Sequence, residues 1–152
     1  RMTPEAKQRV FEQLKIDEGV EYEIYNDHLG YATFGVGHLV TAFDKEHGKP
    51  VGTPVSAERV EECFMQDLQT SITECNILYG SQFLSWPDEV QEVIVNMMFN
   101  MGRPRLSKFK NFRAALESLN WKQAAIEGRD SLWYRQVTNR AERLMSRLEN
   151  IS

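Results

Sequence analysis

The chain has 152 residues, 41% hydrophobic and 26% charged. That is enough for one domain burying about 70% of its unfolded surface, and nine glycines and five prolines are too few for a low-complexity or collagen-like segment. No run nears the roughly 18 apolar residues of a membrane span, and no apolar leader with a small-residue cleavage site follows Arg1. The net charge of -4 is unevenly spread: residues 1–102 hold 7 Lys+Arg against 17 Asp+Glu, and residues 103–152 hold 11 against 5. The basic last third, with Arg103, Arg105, Lys108, Lys110 and Arg113, is either a solvated helix face or a patch for a polyanion such as nucleic acid or an anionic wall polymer. It carries no nucleic-acid recognition motif, and the overall acidity argues against that partner.

Thr3-Pro4-Glu5 predicts a helix start, with a hydroxyl N-cap, proline at the first helical position and an acid in the first turn. Val10, Phe11 and Leu14 keep helical spacing, and Gly19 is the natural stop. Alternating Val20, Tyr22 and Ile24, a turn over Asn26–Gly30 and a β-prone run from Tyr31 to Val36 predict a β-hairpin. Residues 41–54 read as a surface loop, after which Ser56 caps a helix with Val60, Cys63, Phe64, Leu68, Ile72, Cys75 and Leu78 on one face, closed by Gly80. Trp86-Pro87-Asp88 opens another helix, which Met101-Gly102-Arg103-Pro104 ends. Phe109, Phe112, Leu116 and Leu119 mark more helix, as do Trp121–Ile126 and the set Ala141, Leu144, Met145 and Leu148.

The expected class is α+β: a small β-hairpin lobe over about 15–56, a connector helix over about 57–79, and a helical lobe over about 80–152 packed with helix 4–17. Cys63 and Cys75 fall on the connector about 18 Å apart by helical rise, too far to pair, and read as small core residues made in a reducing cytoplasm. Neither these thiols nor His28, His38 and His47 match a zinc spacing, so no metal is expected.

The densest candidate chemistry lies between Leu14 and Leu39. Glu18 closes the first helix beside Asp17, where the negative helix end and the like-charged neighbour suit a general acid. Asp27 sits in the hairpin turn, where backbone donors favour an ionised carboxylate. Two acids pushed to opposite roles are the minimum for glycoside hydrolysis, although turn aspartates and helix-end glutamates are commonly just solvated.

Leu14-Lys15-Ile16-Asp17-Glu18-Gly19, Ile24-Tyr25-Asn26-Asp27 and Gly30-Tyr31-Ala32-Thr33-Phe34-Gly35-Val36-Gly37-His38-Leu39 closely resemble the active-site region of the T-even phage lysozymes. Asn96-Met97-Met98-Phe99-Asn100-Met101-Gly102, and Trp133-Tyr134 with Asn139-Arg140-Ala141, resemble two further signatures of that family in the same order. The resemblance implies a two-lobe lysozyme-like fold and a cofactor-free muramidase. Such an enzyme cleaves the β-1,4 bond between N-acetylmuramic acid and N-acetylglucosamine in bacterial peptidoglycan. It further implies that Glu18 is the general acid, that Asp27 with Thr33 places the attacking water, and that Arg140 orients the glutamate. His38 and Asp67 match a structural ion pair, and Leu39, Phe99 and Asn100 match positions that line the substrate cleft. Trp133 and Tyr134 are expected in the core of the rear lobe.

The segment 41–55 is shorter than in the family, Asn100 replaces a glutamine, and Leu132 replaces a charged residue. Gly128–Tyr134 and the net acidity look more like the lysozyme domain carried on phage baseplate spikes than a free endolysin. The expected enzyme is therefore phage-encoded, made in the host cytoplasm and acting on periplasmic peptidoglycan, either free or as part of a larger tail protein in the virion. The competing class is a non-catalytic peptidoglycan-binding or protein-interaction module on the same fold.

Overall fold

The structure, a computed structural model, describes residues 1–151. Helix α1 (Pro4–Glu18) begins as the sequence predicts: the Thr3 hydroxyl accepts the Ala6 N–H at 3.1 Å. Gly19, at φ +77°, ends it.

Strands β1 (Glu21–Asn26), β2 (Ala32–Gly35) and β3 (His38–Leu39) form an antiparallel sheet in the order β1-β2-β3. The sequence predicts only the first two. A two-residue strand directly after a glycine shows no alternation, so β3 has no periodic signal to read. Between the pairs Glu21↔Gly35 and Tyr25↔Thr33, the three residues Tyr22–Ile24 of β1 face the single residue Phe34 of β2. This bulge breaks the period of two: Ile24 is buried, while Tyr22, expected on the same face, is 49% exposed. The segment expected as a surface loop folds back along β1, with Ile24 N–H donating to Thr53 O, Gly52 N–H to Ile24 O and Val55 N–H to Tyr22 O.

Helix α2 (Ala57–Tyr79) is capped by the Ser56 hydroxyl, which accepts the Arg59 N–H at 3.1 Å. Cys63 and Cys75 are both buried on it and unpaired. A 3-10 turn (Gly80–Ser85) leads to α3 (Asp88–Leu106), whose Gly102 has φ +78° and ψ 163°. The predicted stop thus falls at Gly102, but one more helical turn follows it.

Helix α4 spans Lys110–Glu117, and Leu119, predicted as a helical core residue, instead lies beyond it at φ +59° and 62% exposed. The chain leaves the helix at Ser118, so its apolar spacing no longer maps onto one face. Helix α5 (Trp121–Arg129) runs three residues past the prediction, and α7 (Thr138–Glu149) carries the predicted apolar face. Between them, α6 (Leu132–Gln136) was not anticipated; five residues give too little periodicity, although Ser131 caps it by accepting the Tyr134 N–H. Among the described residues no helix is long and apolar enough to cross a membrane.

The chain divides into two compact units, Phe11–Thr70 and Arg1–Val10 with the residues from Ser71 onward, so the boundaries fall inside α1 and α2. The first, the sheet unit, is built on Phe11, Leu14, Ile24, Phe34, Val60, Phe64 and Leu68, all buried, with the Phe11 and Phe64 rings 4.6 Å apart. Gly35 is required in it: a Cβ there would lie 3.1 Å from Val60 Cγ1, on a backbone with φ +65°. The helical unit packs around the buried stretch Val90–Met98 of α3, mostly apolar but including Gln91, Glu92 and Asn96, and around Phe83, Phe112, Leu116, Trp133, Leu144 and Leu148. Trp133 is core as expected, whereas Tyr134 is only half-buried and donates its hydroxyl to Glu142 at 2.8 Å.

Candidate active site

Glu18 is the last residue of α1 and is exposed. Its Oε1 lies 3.8 Å from where a Cβ on Gly37 would stand, so the carboxyl sits over the turn joining β2 to β3. That turn needs φ +65° at Gly37, a backbone region that side chains disfavour.

Asp27 organises the β1–β2 turn. Its Oδ1 accepts the Leu29 and Tyr31 N–H groups, both at 2.9 Å, while its backbone N–H donates to Tyr31 O at 2.9 Å. Both backbone donors fall on one oxygen, so Oδ2 is the atom turned to other business. Thr33 is buried, at 4% exposure, and its hydroxyl donates to Tyr31 O at 2.9 Å. With its single proton committed to a carbonyl, Thr33 Oγ1 presents only lone pairs to anything else.

Pairing of Tyr25 with Thr33 and of Thr33 with Leu39 makes one cross-strand row, and directly opposed residues share a face of the sheet. Leu39, at 50% exposure, is the open end of that row. Tyr25 was not singled out from the sequence. Burial, with the charges of Glu21, Asp27 and Glu18, raises its phenol above the ordinary value, so it stays protonated between the acids. Its position two residues before Asp27 and opposite Thr33 was the available signal.

His38, the first residue of β3, is buried and as an imidazolium donates to two acids: Nδ1 to Asp67 Oδ2 at 2.7 Å and Nε2 to Asp44 Oδ2 at 2.9 Å. The Asp67 bond and then that of Asp44, against burial, hold the imidazole above its usual range. Asp44 was missed because its loop reads as featureless. Its Oδ2 also accepts the Thr41 N–H, and its Oδ1 accepts Arg59 Nη2 at 3.2 Å. Burial works against its charge, but the Thr41 amide and His38 outweigh it and Asp44 sits below the carboxylate range. Arg59 also clasps the buried Glu46 through Nε and Nη2. Cys63, fully buried, has its thiol pushed up to about 11 by burial, and its Sγ with one ligand atom each of His38 and Asp44 lie within 4.8 Å of one another.

The other sequence-predicted residues lie in the helical unit. Arg140 is buried and donates from Nε and Nη2 to Asn96 Oδ1 at 3.1 and 2.9 Å. Asn100 Oδ1 accepts the Trp133 indole N–H at 2.7 Å, which ties α3 to α6. Phe99 is half-buried and Leu132 is 59% exposed. A concavity of about 580 Å³ beside Lys122, Ile126 and Glu149 contains none of these residues.

The sequence model of the family described as phage lysozyme matches residues 15–149, which include every candidate residue named above. The chain belongs to the phage lysozyme family. Among curated proteins it is 30% identical to "Probable T4-type lysozyme 1" of Dictyostelium discoideum, over 91% of this chain and 92% of that protein. It is 31% identical to the "Pre-baseplate central spike protein Gp5" of Enterobacteria phage T4, over 88% of this chain but only 26% of Gp5. Similarity to the "Peptidoglycan hydrolase gp36" of Pseudomonas phage phiKMV is 26%, over 93% of this chain and 16% of that protein. As a member of this family, with its α+β architecture, the chain is a hydrolase.

Proposed function

We propose that the protein hydrolyses bacterial peptidoglycan at the β-1,4 bond between N-acetylmuramic acid and N-acetylglucosamine, with inversion at the anomeric carbon. The observation that carries this reading is the division of hydrogen bonds between Asp27 and Thr33. A water placed between them donates one proton to Asp27 Oδ2 and the other to Thr33 Oγ1, because neither atom has a proton to offer. Both of its protons are then held, and a lone pair is left for the sugar carbon. The Thr33 hydroxyl proton is spent on Tyr31 O, so in this reading the threonine acts on the water only as an acceptor. Glu18 delivers a proton to the leaving oxygen, and the Asp27 carboxylate takes one from the water. Arg140 orients Glu18, and Leu39, Phe99 and Asn100 contact the glycan.

An aspartate that shares its work with a threonine-held water is a general base rather than a nucleophile, which is why inversion is expected. The similarity to Gp5 and the net charge of -4 support delivery on a larger tail protein in the virion. Synthesis would be in the host cytoplasm and action on the periplasmic wall.

The test uses exposed Gram-negative peptidoglycan. Clearing of turbidity by the wild type, and its loss by about 10²- to 10⁴-fold in Glu18→Gln at an unchanged melting temperature, supports the assignment. An inert wild type that still sediments with the wall would make the protein a binding module instead. Proton NMR of the first product reads the stereochemistry: α-anomer first means inversion, and β-anomer first means that Asp27 attacks the sugar directly.

A further inference from the structure

We propose that His38 Nε2, Asp44 Oδ2 and Cys63 Sγ bind one zinc ion, a structural site separate from the proposed catalytic residues. One ligand atom from each of the three residues lies within 4.8 Å of the others, and they belong to three different stretches of the sheet unit: β3, the following loop and the second turn of α2. Nitrogen, oxygen and sulfur donors together suit zinc better than the hard cations, which avoid sulfur.

Four features of the cluster argue for a metal beyond the bare count of donors. First, Asp67 Oδ2 holds His38 Nδ1 at 2.7 Å. That is the carboxylate–imidazole arrangement which fixes the ring of a zinc-bound histidine and leaves Nε2 to the metal.

Second, Nε2 and Asp44 Oδ2 are 2.9 Å apart. Two donors each about 2.0–2.2 Å from a tetrahedral zinc stand roughly 3.3–3.5 Å apart, so they need separate by only about half an ångström.

Third, binding is a proton-for-metal exchange that leaves the neighbouring ion pairs in place. Zinc enters as a doubly charged cation, and two protons leave to solvent, one from Nε2 of the imidazolium and one from the Cys63 thiol; nothing is oxidised or reduced. Arg59 keeps its bond to the other oxygen of Asp44.

Fourth, the cluster lies near solvent. Cys63 is fully buried and His38 nearly so, whereas the Asp67 side chain is one-third exposed, so the cluster lies just under the surface with a way in. Water completes the fourth position. No zinc spacing is visible in the sequence because the three donors are separated by 5 and 18 residues and come from a strand, a loop and a helix.

The test is a titration of chelator-stripped full chain with zinc and, separately, with cobalt(II). We expect one zinc per chain by calorimetry, a heat that varies with the ionisation enthalpy of the buffer as protons are released, and a raised melting temperature. Cobalt should give a thiolate charge-transfer band in the near ultraviolet. Cys63→Ser should abolish that band and Cys75→Ser should keep it, while Asp67→Asn should weaken zinc binding about 10- to 100-fold. Absence of the cobalt band from the wild type overturns the site, with no reliance on how any variant folds. Zinc uptake of equal affinity in a folded Cys63→Ser overturns it too, because it assigns the ion to surface histidines such as His28 and His47.

Discussion

Each compact unit holds a buried charged side chain between two partners of opposite sign, and the two arrangements are inversions of each other. In the helical unit an acid, Glu92, is held between two bases: Arg9 donates to it at 2.9 Å and Arg147 at 3.0 Å. In the sheet unit a base, His38, is held between Asp67 and Asp44. The clamping arginines also reach outward, Arg147 to Glu89 at 2.8 Å and Arg9 to Asp88 at 3.8 Å. The difference lies in what can change charge. Arginine keeps its proton at any working pH, so the Glu92 clamp is permanent, whereas an imidazolium, even one held above its usual range, can give its proton up. The first arrangement serves stability alone, and the second can answer to pH or exchange its proton for a metal.

The most damaging single change should be Arg147→Met, which retains the stem but leaves Glu92, with a side chain only 2% exposed, one guanidinium short. Breaking a buried pair from one side costs about 3 kcal/mol, the low end of the usual range because Arg9 remains. Glu92→Gln should cost less, since the arginines left behind reach water. Urea unfolding of both variants measures the order. If Glu92→Gln proved the worse of the two, the buried acid would not be what makes this clamp matter.

His38→Gln comes next, at about 2 kcal/mol in the presence of chelator near pH 6, with a pH dependence that the Glu92 clamp lacks. The imidazole is raised in the folded chain, so its contribution is complete below the unfolded value of about 6.5 and is lost as the pH climbs through the folded value. Asp44, lowered in the folded chain, contributes above its unfolded value of about 3.9 and loses this as the pH falls. The gap between wild type and His38→Gln should therefore be widest between about pH 4.5 and 6.5 and should narrow above it. A gap that widens towards pH 9 would mean that the clamp works with a neutral ring.

Neither clamp was wholly legible in the sequence, for different reasons. His38–Asp67 could be read only through family resemblance, because 29 residues separate the partners. Asp44 was hidden in a loop whose order comes from hydrogen bonds that local composition does not encode, and Glu92 was hidden by its neighbours Val90, Val93 and Ile94, which make an apolar stretch in which one acid passes unnoticed. What propensity and capping control was readable: the start of α1 at Thr3-Pro4, the Ser56 cap and the stop at Gly102. What very short elements and non-local pairing control, namely β3, α6 and the bulge in β1, was not. Glu18, Asp27 and Thr33 were found because their motifs are contiguous, while the commitment of the Thr33 proton to Tyr31 O required coordinates.

The smallest effect should come from a third cluster, which separates charge from burial as the source of the contrast. Glu142 takes bonds from three residues, Arg129, Tyr134 and Ser146, where Arg9 and Arg147 hold Glu92, and the Arg129 guanidinium foremost holds the Glu142 carboxyl down at about 2. Yet its side chain is 42% exposed, and Arg129 also reaches Glu149. Water and salt screen such a cluster, so Glu142→Gln should cost less than about 1 kcal/mol at pH 7, and most of that should vanish in 1 M salt. The sign with pH is opposite to that of His38: a lowered carboxyl contributes above its unfolded value and loses its contribution only as the pH falls towards 2. Melting curves of wild type and Glu142→Gln at low and high salt test this. A loss as large as that of Arg147→Met, unmoved by salt, would show that the number of hydrogen bonds rather than the burial of the charge sets what each clamp contributes.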